Sequence, residues 1–274
     1  LLHGMLDHGA MWTDVAQRLA ARGNRVLAPD QRGHGRSQHV GPGGSYHLLE
    51  FVADLDALMG HDSGHSPLNI NGPVTLVGHS MGAAVAALYA SVRPQKIGSL
   101  VLVESVLPVE TAETETASQL ANYLDQLASG SRHNLLPDVR AAAERLRRVT
   151  PSLTEERALQ MARRITQPCN EVGGICWSWD PHLLTRSGVT FNGLAFKASC
   201  YTELMHQIQV PVLLVYGEDG SYKLLSRMQA IIPGATAAVL PGGHNLHVDS
   251  PEALADIILR NAPIQTEKLQ VIRV

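Results

Sequence analysis

Short apolar runs alternate with segments of helical spacing through the first hundred residues of the chain. Three runs have the length and continuity of buried strands: Arg25–Ala28, Val74–Val77 and Leu100–Val103. Three segments between them have helical spacing: Trp12–Ala21, Leu48–Met59 and Ala83–Ser91. Continuous apolar strands separated by helices predict a mostly parallel sheet that is covered by helices on both faces.

The pattern changes between residues 108 and 209, where no strand alternation is visible. Three helices are predicted there: Thr116–Ala128, Pro137–Arg148 and Leu153–Ile165. Ser152 with Glu155 predicts a capping box at the start of the third. Strands and helices resume afterwards, as Val212–Val215, Leu224–Ile231, Ala237–Leu240 and Pro251–Arg260.

This change of pattern divides the chain into three parts. We predict an α/β core formed by residues 1–107 and 210–262, a helical lid inserted at 108–209, and a polar tail at 263–274. The first residues, Leu1–Gly4, have the character of the end of a buried strand. We therefore expect earlier strands of the same sheet to precede them.

Composition narrows the class of protein. With 274 residues, 45% of them hydrophobic, the chain can bury a large core, and its net charge is −3. The densest basic stretch, Arg140–Arg148, has the spacing of a solvated helix face, so nucleic acid is not an expected partner. The three cysteines lack metal-site spacing, and no apolar run approaches the roughly 20 residues of a membrane span. These features predict a reduced, cytoplasmic protein without a disulfide framework, a membrane span, a metal or a cofactor.

The strongest chemical motif is Gly78–Gly82, which reads Gly-His-Ser-Met-Gly where a predicted strand meets a predicted helix. A Gly-x-Ser-x-Gly turn in that context is a nucleophile elbow, which lifts the serine hydroxyl above the sheet. Here the chain resembles the α/β-hydrolase superfamily. Ser80 is therefore the predicted nucleophile.

A histidine that follows the last predicted strand is the candidate base. His244 comes directly after Gly242 and Gly243, whose flexibility suits a side chain placed over the sheet. His247 lies three residues farther on and is the competing candidate. We favour His244, and we expect His247 to be a packed or surface side chain.

Two backbone N–H groups are expected to stabilise the oxyanion. In this fold one comes from the loop after an early strand and the other from the residue after the nucleophile. The corresponding residues are Met5 and Met81. His3 is predicted to be structural, and no chemistry is assigned to His34, which lies in a turn typical of the fold.

The carboxylate that orients the histidine has two candidates. Most members of the fold carry an aspartate three residues after the glycine that ends the penultimate strand. That glycine is Gly217, so the expected position holds Gly220, while Asp219 stands one residue early. Glu104 directly follows the strand Leu100–Val103, from which a longer side chain can reach the same histidine. Glu104 is favoured, and Asp219 is the alternative.

A closer resemblance covers nearly the whole chain. Several stretches resemble the decarboxylating thioesterases of curacin-type polyketide synthases and olefin synthases: Val77–Gly82, Ser91–Pro94, Val101–Glu104, Arg164–Pro168, Trp177–Asp180, Thr185–Ser187 and Gly242–His247. The segments from the predicted lid and the C-terminal region are the more specific. Leu184 is a departure, since a second basic residue is expected at its position.

The resemblance implies a particular reaction and a set of partners. It implies that the domain hydrolyses a β-sulfated acyl chain from the phosphopantetheine of an acyl carrier protein, and that loss of CO2 and sulfate gives a terminal alkene. An upstream sulfotransferase domain would supply the sulfated chain. The resemblance also implies Glu104 as the acid, and Arg186 with Asn192 as the residues that bind sulfate. A general serine carboxylesterase or thioesterase without decarboxylation is the alternative.

Overall fold

The computed structural model describes residues 1–41, 43–60, 66–105, 116–129, 135–150, 153–169, 173–186 and 198–261. Its central element is a parallel sheet with the strand order β1-β2-β5-β6. These strands span Val74–His79, Ile97–Val103, Val212–Gly217 and Thr236–Leu240. Leu2 extends the sheet beside β1 through one parallel bridge to Gly78.

Helices cover both faces of this sheet, as the sequence predicts. Those of the α/β part are α1 Thr13–Ala21, α2 Leu48–Met59, α3 Met81–Val92, α9 Leu225–Ile231, α10 Leu246–Asp249 and α11 Pro251–Asn261. Along β2, Leu100 and Leu102 pack in one apolar cluster, while Val101 and Val103 pack in the other. Each face therefore has its own core, which explains why the strands read as unbroken apolar runs.

The region between residues 108 and 209 is mainly helical where it is described. It contains α4 Thr116–Ser129, α5 Val139–Val149, α6 Glu155–Ile165, α7 Leu183–Arg186 and α8 Ala198–His206. It also contains a short antiparallel pair, β3 Thr166–Pro168 and β4 Ile175–Trp177, which the sequence did not predict. Strands of three residues are too short to show a period-2 pattern.

Two local predictions are wrong. Arg25–Ala28 forms no strand in the structure. The backbone nitrogen of Leu1 donates a hydrogen bond to the Leu27 carbonyl at 2.7 Å. The N-cap of α6 is Thr154, whose hydroxyl accepts from the Arg157 N–H. Ser152, the predicted cap, lies outside the described residues. A threonine next to the first helical turn can satisfy one of the free N–H groups, as a serine would.

The three cysteines, Cys169, Cys176 and Cys200, are free thiols. Among the described residues, none of the helices combines the length and apolar character needed to cross a bilayer.

Candidate active site

Ser80 lies in a strained turn between β1 and α3. Its φ is +51° and its ψ is −115°, which is an unusual conformation for a residue with a side chain. The Ser80 N–H donates to the Val103 carbonyl at 3.0 Å, so the turn is fixed to the end of β2. The strand–turn–helix context predicted for a nucleophile elbow is therefore present.

The elbow depends on close backbone packing at its two glycines. A Cβ on Gly78 would lie 2.2 Å from the Gly82 carbonyl oxygen, and a Cβ on Gly82 would lie 2.5 Å from that of His3. These neighbours are backbone atoms, which cannot move aside as a flexible side chain would. The motif thus allows α3 to start directly against β1 and against the loop that begins at His3.

The loop from His3 to Asp7 passes beside Ser80. A Cβ on Gly4 would lie 3.2 Å from the Cβ of Ser80, so the backbone that leads to Met5 is next to the serine. Met81, the other predicted oxyanion donor, is the first residue of α3 and is buried. The structure thus brings both predicted N–H donors to the neighbourhood of Ser80.

Two buried histidines fix this loop. His3 accepts from the Gln31 N–H at 2.8 Å, while its Nδ1 lies 2.8 Å from the Gly4 carbonyl. His34 Nε2 accepts from the Leu6 N–H at 3.1 Å. Burial lowers the pKa of both histidines, that of His34 to about 3. Both are therefore neutral near pH 7, and His3 has the structural place in the loop that the sequence predicted for it.

His244 meets a carboxylate from the end of β2. Its Nδ1 lies 3.2 Å from Oε2 of Glu104, and its side chain is 42% exposed, whereas that of Glu104 is fully buried. Because a carboxylate only accepts, Nδ1 carries the proton and Nε2 of neutral His244 is left free to accept one. This is the tautomer that a general base next to a serine needs.

Glu104 is held as an anion by backbone donors. Its carboxylate accepts from the Gly217 N–H at 2.7 Å and from the Ser221 N–H at 2.9 Å. Burial by itself would raise the pKa of Glu104, but the hydrogen bonds from His244 and from these two N–H groups lower it overall. Glu104 has a φ of +49°, a strained backbone that re-aims the residue at the end of β2.

Gly220 explains how this carboxylate reaches the histidine. A Cβ on Gly220 would lie 2.2 Å from Oε1 of Glu104, so the Glu104 carboxylate occupies the space that an aspartate side chain would need. Asp219, the alternative acid, is exposed, and its N–H donates to the Gly242 carbonyl. Among the described residues, the carboxylate bonded to His244 is that of Glu104.

His247 is buried behind the site, which is the first of the two expectations for it, a packed or a surface side chain. Its Nε2 lies 3.1 Å from Oδ2 of Asp7, and its ring lies 4.9 Å from that of Trp12. The sequence reasoning missed Asp7 and the contact that His79 makes with His244. The adjacency of His79 to Ser80 was the available signal for the second of these.

The predicted sulfate residues lie at the margin of what the structure describes. Arg186 is the last residue of α7; its side chain lies outside the described residues, as does the whole of Asn192. The Asp180 carboxylate, just before α7, accepts from the Tyr46 hydroxyl and from the His182 N–H. Asp180 thereby holds the start of the turn that leads to Arg186.

The fold and this site define a class of protein. Residues 1–251 match the family model described as the alpha/beta hydrolase fold, and the chain belongs to that family. Its serine stands in a nucleophile elbow and its histidine is bonded to a buried carboxylate, and both features are found in hydrolases that use a serine nucleophile.

Individual proteins resemble it along most of their length. The solved thioesterase domain from the curacin biosynthetic pathway is 44% identical with a TM-score of 0.81; the match covers 94% of this chain and 89% of that one. A pyrethroid hydrolase of Sphingobium wenxiniae is 28% identical over 98% of this chain and 89% of its own length. A serine hydrolase-like protein of Danio rerio is 24% identical over 97% of this chain and 82% of its own length. The chain is a hydrolase of this family.

Proposed function

We propose that this hydrolase is a decarboxylating thioesterase that acts on a β-sulfated acyl chain bound to an acyl carrier protein. The observation that carries the proposal is the likeness to the thioesterase domain of the curacin pathway, at 44% identity over nearly the whole chain. The contact of Glu104 with His244, in place of an aspartate at Gly220, supports it at the level of the site.

In the proposed first half-reaction the thioester is transferred to the protein. The Ser80 hydroxyl gives its proton to Nε2 of His244 as its oxygen attacks the thioester carbonyl. The N–H groups of Met5 and Met81 stabilise the oxyanion, and Glu104 stabilises the positively charged His244. Collapse of the intermediate breaks the C–S bond, and His244 protonates the departing thiol of the carrier protein.

The second half-reaction releases the acid and the leaving groups. His244 takes a proton from water, whose oxygen attacks the acyl-serine, and Ser80 is released with that proton. In the free β-sulfated carboxylate the C1–C2 bond breaks to give CO2. Its electron pair forms the new double bond between C2 and C3 as the C3–O bond breaks and sulfate leaves.

Sulfate recognition is assigned to Arg186, with Asn192 as a helper. A planar guanidinium can donate two parallel hydrogen bonds to a sulfate and can stabilise the departing charge. We propose that residues 108–209 are the lid that carries these residues over the site. The partners are then an acyl carrier protein and a sulfotransferase domain that supplies the sulfated chain.

A general esterase or thioesterase activity is the second candidate. The pyrethroid hydrolase, which matches along 98% of this chain, favours it. The two candidates share the site around Ser80 and differ in whether a β-sulfate is required.

Paired carrier-protein substrates, one β-sulfated and one β-hydroxylated, separate these functions by mass spectrometry. We expect alkene and CO2 only from the sulfated chain, a loss of at least about 10³-fold in turnover for Ser80→Ala, and a loss of about 10–100-fold for Arg186→Ala on the sulfated chain alone. Arg148→Ala, at an exposed arginine of α5, is the control for removal of a positive charge from the same region. Equal hydrolysis of both substrates without alkene would reject decarboxylation and leave the general thioesterase.

A further inference from the structure

A buried group of side chains lies directly behind His244. One carboxylate oxygen of Asp7 and one ring nitrogen each of His79 and His247 lie within 4.8 Å of one another. The ring of His79 is 4.8 Å from that of His244 and 4.5 Å from that of His247. The three histidine rings thus pack in a row, tilted by 51° and 55° to their neighbours, with only His244 substantially exposed.

His79 makes a hydrogen bond that ties two parts of the site together. Its Nε2 lies 2.8 Å from the backbone carbonyl oxygen of His244. Because a carbonyl only accepts, the proton of His79 must be on Nε2. His79 is the residue before Ser80, so a single hydrogen bond joins the end of β1, which holds the serine, to the loop that holds His244.

The other side of the His79 ring faces the oxyanion loop. A Cβ on Gly4 would lie 2.9 Å from Nδ1 of His79, and that nitrogen is buried with no hydrogen-bond partner among the described residues. Burial, followed by the neighbouring His247 and His244, holds the pKa of His79 well below its ordinary value of 6.5. The ring is therefore neutral at neutral pH, and it fills the space between the serine, the base and the loop.

Asp7 and Trp12 fix the far end of the row. Asp7 accepts from Nε2 of His247 at 3.1 Å, and the Trp12 ring packs against the His247 ring, with their centres 4.9 Å apart. Burial alone would raise the pKa of Asp7, but the hydrogen bond from His247 lowers it to about 2. Asp7 is thus ionised, and His247 has a fixed orientation against which His79 packs.

We infer that His79 is a positioning residue for the serine–histidine pair, since its Nε2–H holds the backbone of His244 at a fixed distance from Ser80. His247 and Asp7 support the ring of His79 from behind. This inference rests on the proposed roles of Ser80 and His244, and it is independent of decarboxylation and of sulfate binding. An error of about 1 Å in such a placement can reduce turnover about 10²-fold.

Three substitutions at His79 test this role. The glutamine side chain places its amide nitrogen about as far from the backbone as Nε2 of histidine, so it can donate to the His244 carbonyl. The asparagine side chain is too short to reach that carbonyl, and leucine has no donor. We expect His79→Asn and His79→Leu to lower kcat for p-nitrophenyl acetate about 10²-fold with KM within about 3-fold of wild type. His79→Gln should recover kcat to within about 10-fold of wild type. The melting temperature of each variant is also measured, so that a loss of activity can be compared with any loss of stability.

Ser99→Ala is the matched control. Ser99 is buried in β2 and donates to the Thr75 hydroxyl, so its loss removes a buried hydrogen bond at the other end of the strands. This variant should be destabilised but keep the kcat of wild type.

The outcomes separate the inference from the proposed function. If wild type hydrolyses the ester no faster than Ser80→Ala, the proposed nucleophile is wrong. If wild type is active and His79→Asn has the same kcat as His79→Gln and wild type, the positioning role is wrong. Should His79→Leu fail to fold, the comparison of the asparagine and glutamine variants still decides, because the two differ only in reach.

Discussion

Glu104 shows how a buried charge is retained by a few well-placed donors. A fully buried carboxylate without partners would be strongly destabilised and would take up a proton. At Glu104 two backbone N–H groups, from Gly217 and Ser221, and the His244 ring offset this cost. The same contacts leave the carboxylate charged beside the ring that becomes cationic during the proposed reaction.

Removing the charge of Glu104 should therefore affect catalysis more than folding. We expect Glu104→Gln to lower kcat by about 10²–10⁴-fold, because a neutral amide neither fixes the required tautomer of His244 nor stabilises its cation. Steady-state kinetics with a p-nitrophenyl ester measures this.

Two further variants control this prediction. Asp219→Asn, at the exposed alternative acid, should retain the kcat of wild type. In Glu104→Ala combined with Gly220→Asp, the new carboxylate enters the space that Glu104 leaves, and part of the activity should return. A fully active Glu104→Gln with an inactive Asp219→Asn would transfer the role to Asp219.

At the scale of elements, the junction of β1 and α3 determines where the serine is presented. The helix begins immediately after Ser80, and the carbonyl groups of Leu2 and His3 lie against the face of Gly82. A side chain at that position has no room, because each neighbour is backbone of the adjacent element. The helix can therefore take this position only because residue 82 has no side chain.

We expect Gly82→Ala to destabilise the protein by roughly 2–4 kcal/mol and to reduce turnover, because its Cβ would overlap the His3 carbonyl. The measurement is urea unfolding together with ester hydrolysis. Gly41→Ala is the control, since a Cβ at Gly41 meets no atom within 4 Å and should change the unfolding free energy by less than about 0.5 kcal/mol. Equal stabilities of the two variants would contradict this account of the elbow.

At the scale of the whole molecule, Asp180 connects the region that we propose as the lid to the α/β core. Its N–H donates to the Gly33 carbonyl at 2.7 Å, and its buried carboxylate accepts from the hydroxyl of Tyr46. Burial alone would raise the pKa of Asp180, yet the bonds from Tyr46 and His182 lower it overall. The ionised carboxylate thus stabilises the attachment near neutral pH.

Tyr46→Phe should weaken this attachment by about 1–3 kcal/mol at pH 7, because it removes a hydrogen bond to a buried charge. A lowered pKa in the folded state means that the stabilisation is complete above the ordinary value of 3.8 and is lost as the pH falls below it. The difference in unfolding free energy between wild type and Tyr46→Phe should therefore shrink between pH 7 and pH 3. Tyr222→Phe, at an exposed tyrosine, should show no difference at either pH. A pH-independent difference for Tyr46→Phe would show that packing or the lost hydrogen bond from the Val40 N–H, and not the charge of Asp180, is responsible.

The sequence by itself determined many of the helices and strands, and it indicated the elbow at Ser80. The helices Leu48–Met59 and Pro251–Arg260 and the strands Val212–Val215 and Leu100–Val103 were predicted within a few residues, because periodicity and continuous apolar runs are local properties of the chain. The elbow at Ser80 was equally visible, since its strand, its glycines and its helix are contiguous.

Only the tertiary structure decided which distant groups meet. β2 lies between β1 and β5, so Glu104 reaches His244 across 140 residues of sequence, and Gly220 leaves the necessary space. The bond from His79 to the His244 carbonyl spans 165 residues. Strand order and side-chain packing set these contacts, whereas the sequence indicated Glu104 only as the favoured of two candidates and did not predict the bond from His79. The two errors in strand prediction, the missed pair β3–β4 and the strand wrongly predicted at Arg25–Ala28, have one cause. A strand exists only where a partner backbone lies beside it, and the sequence does not show where that is.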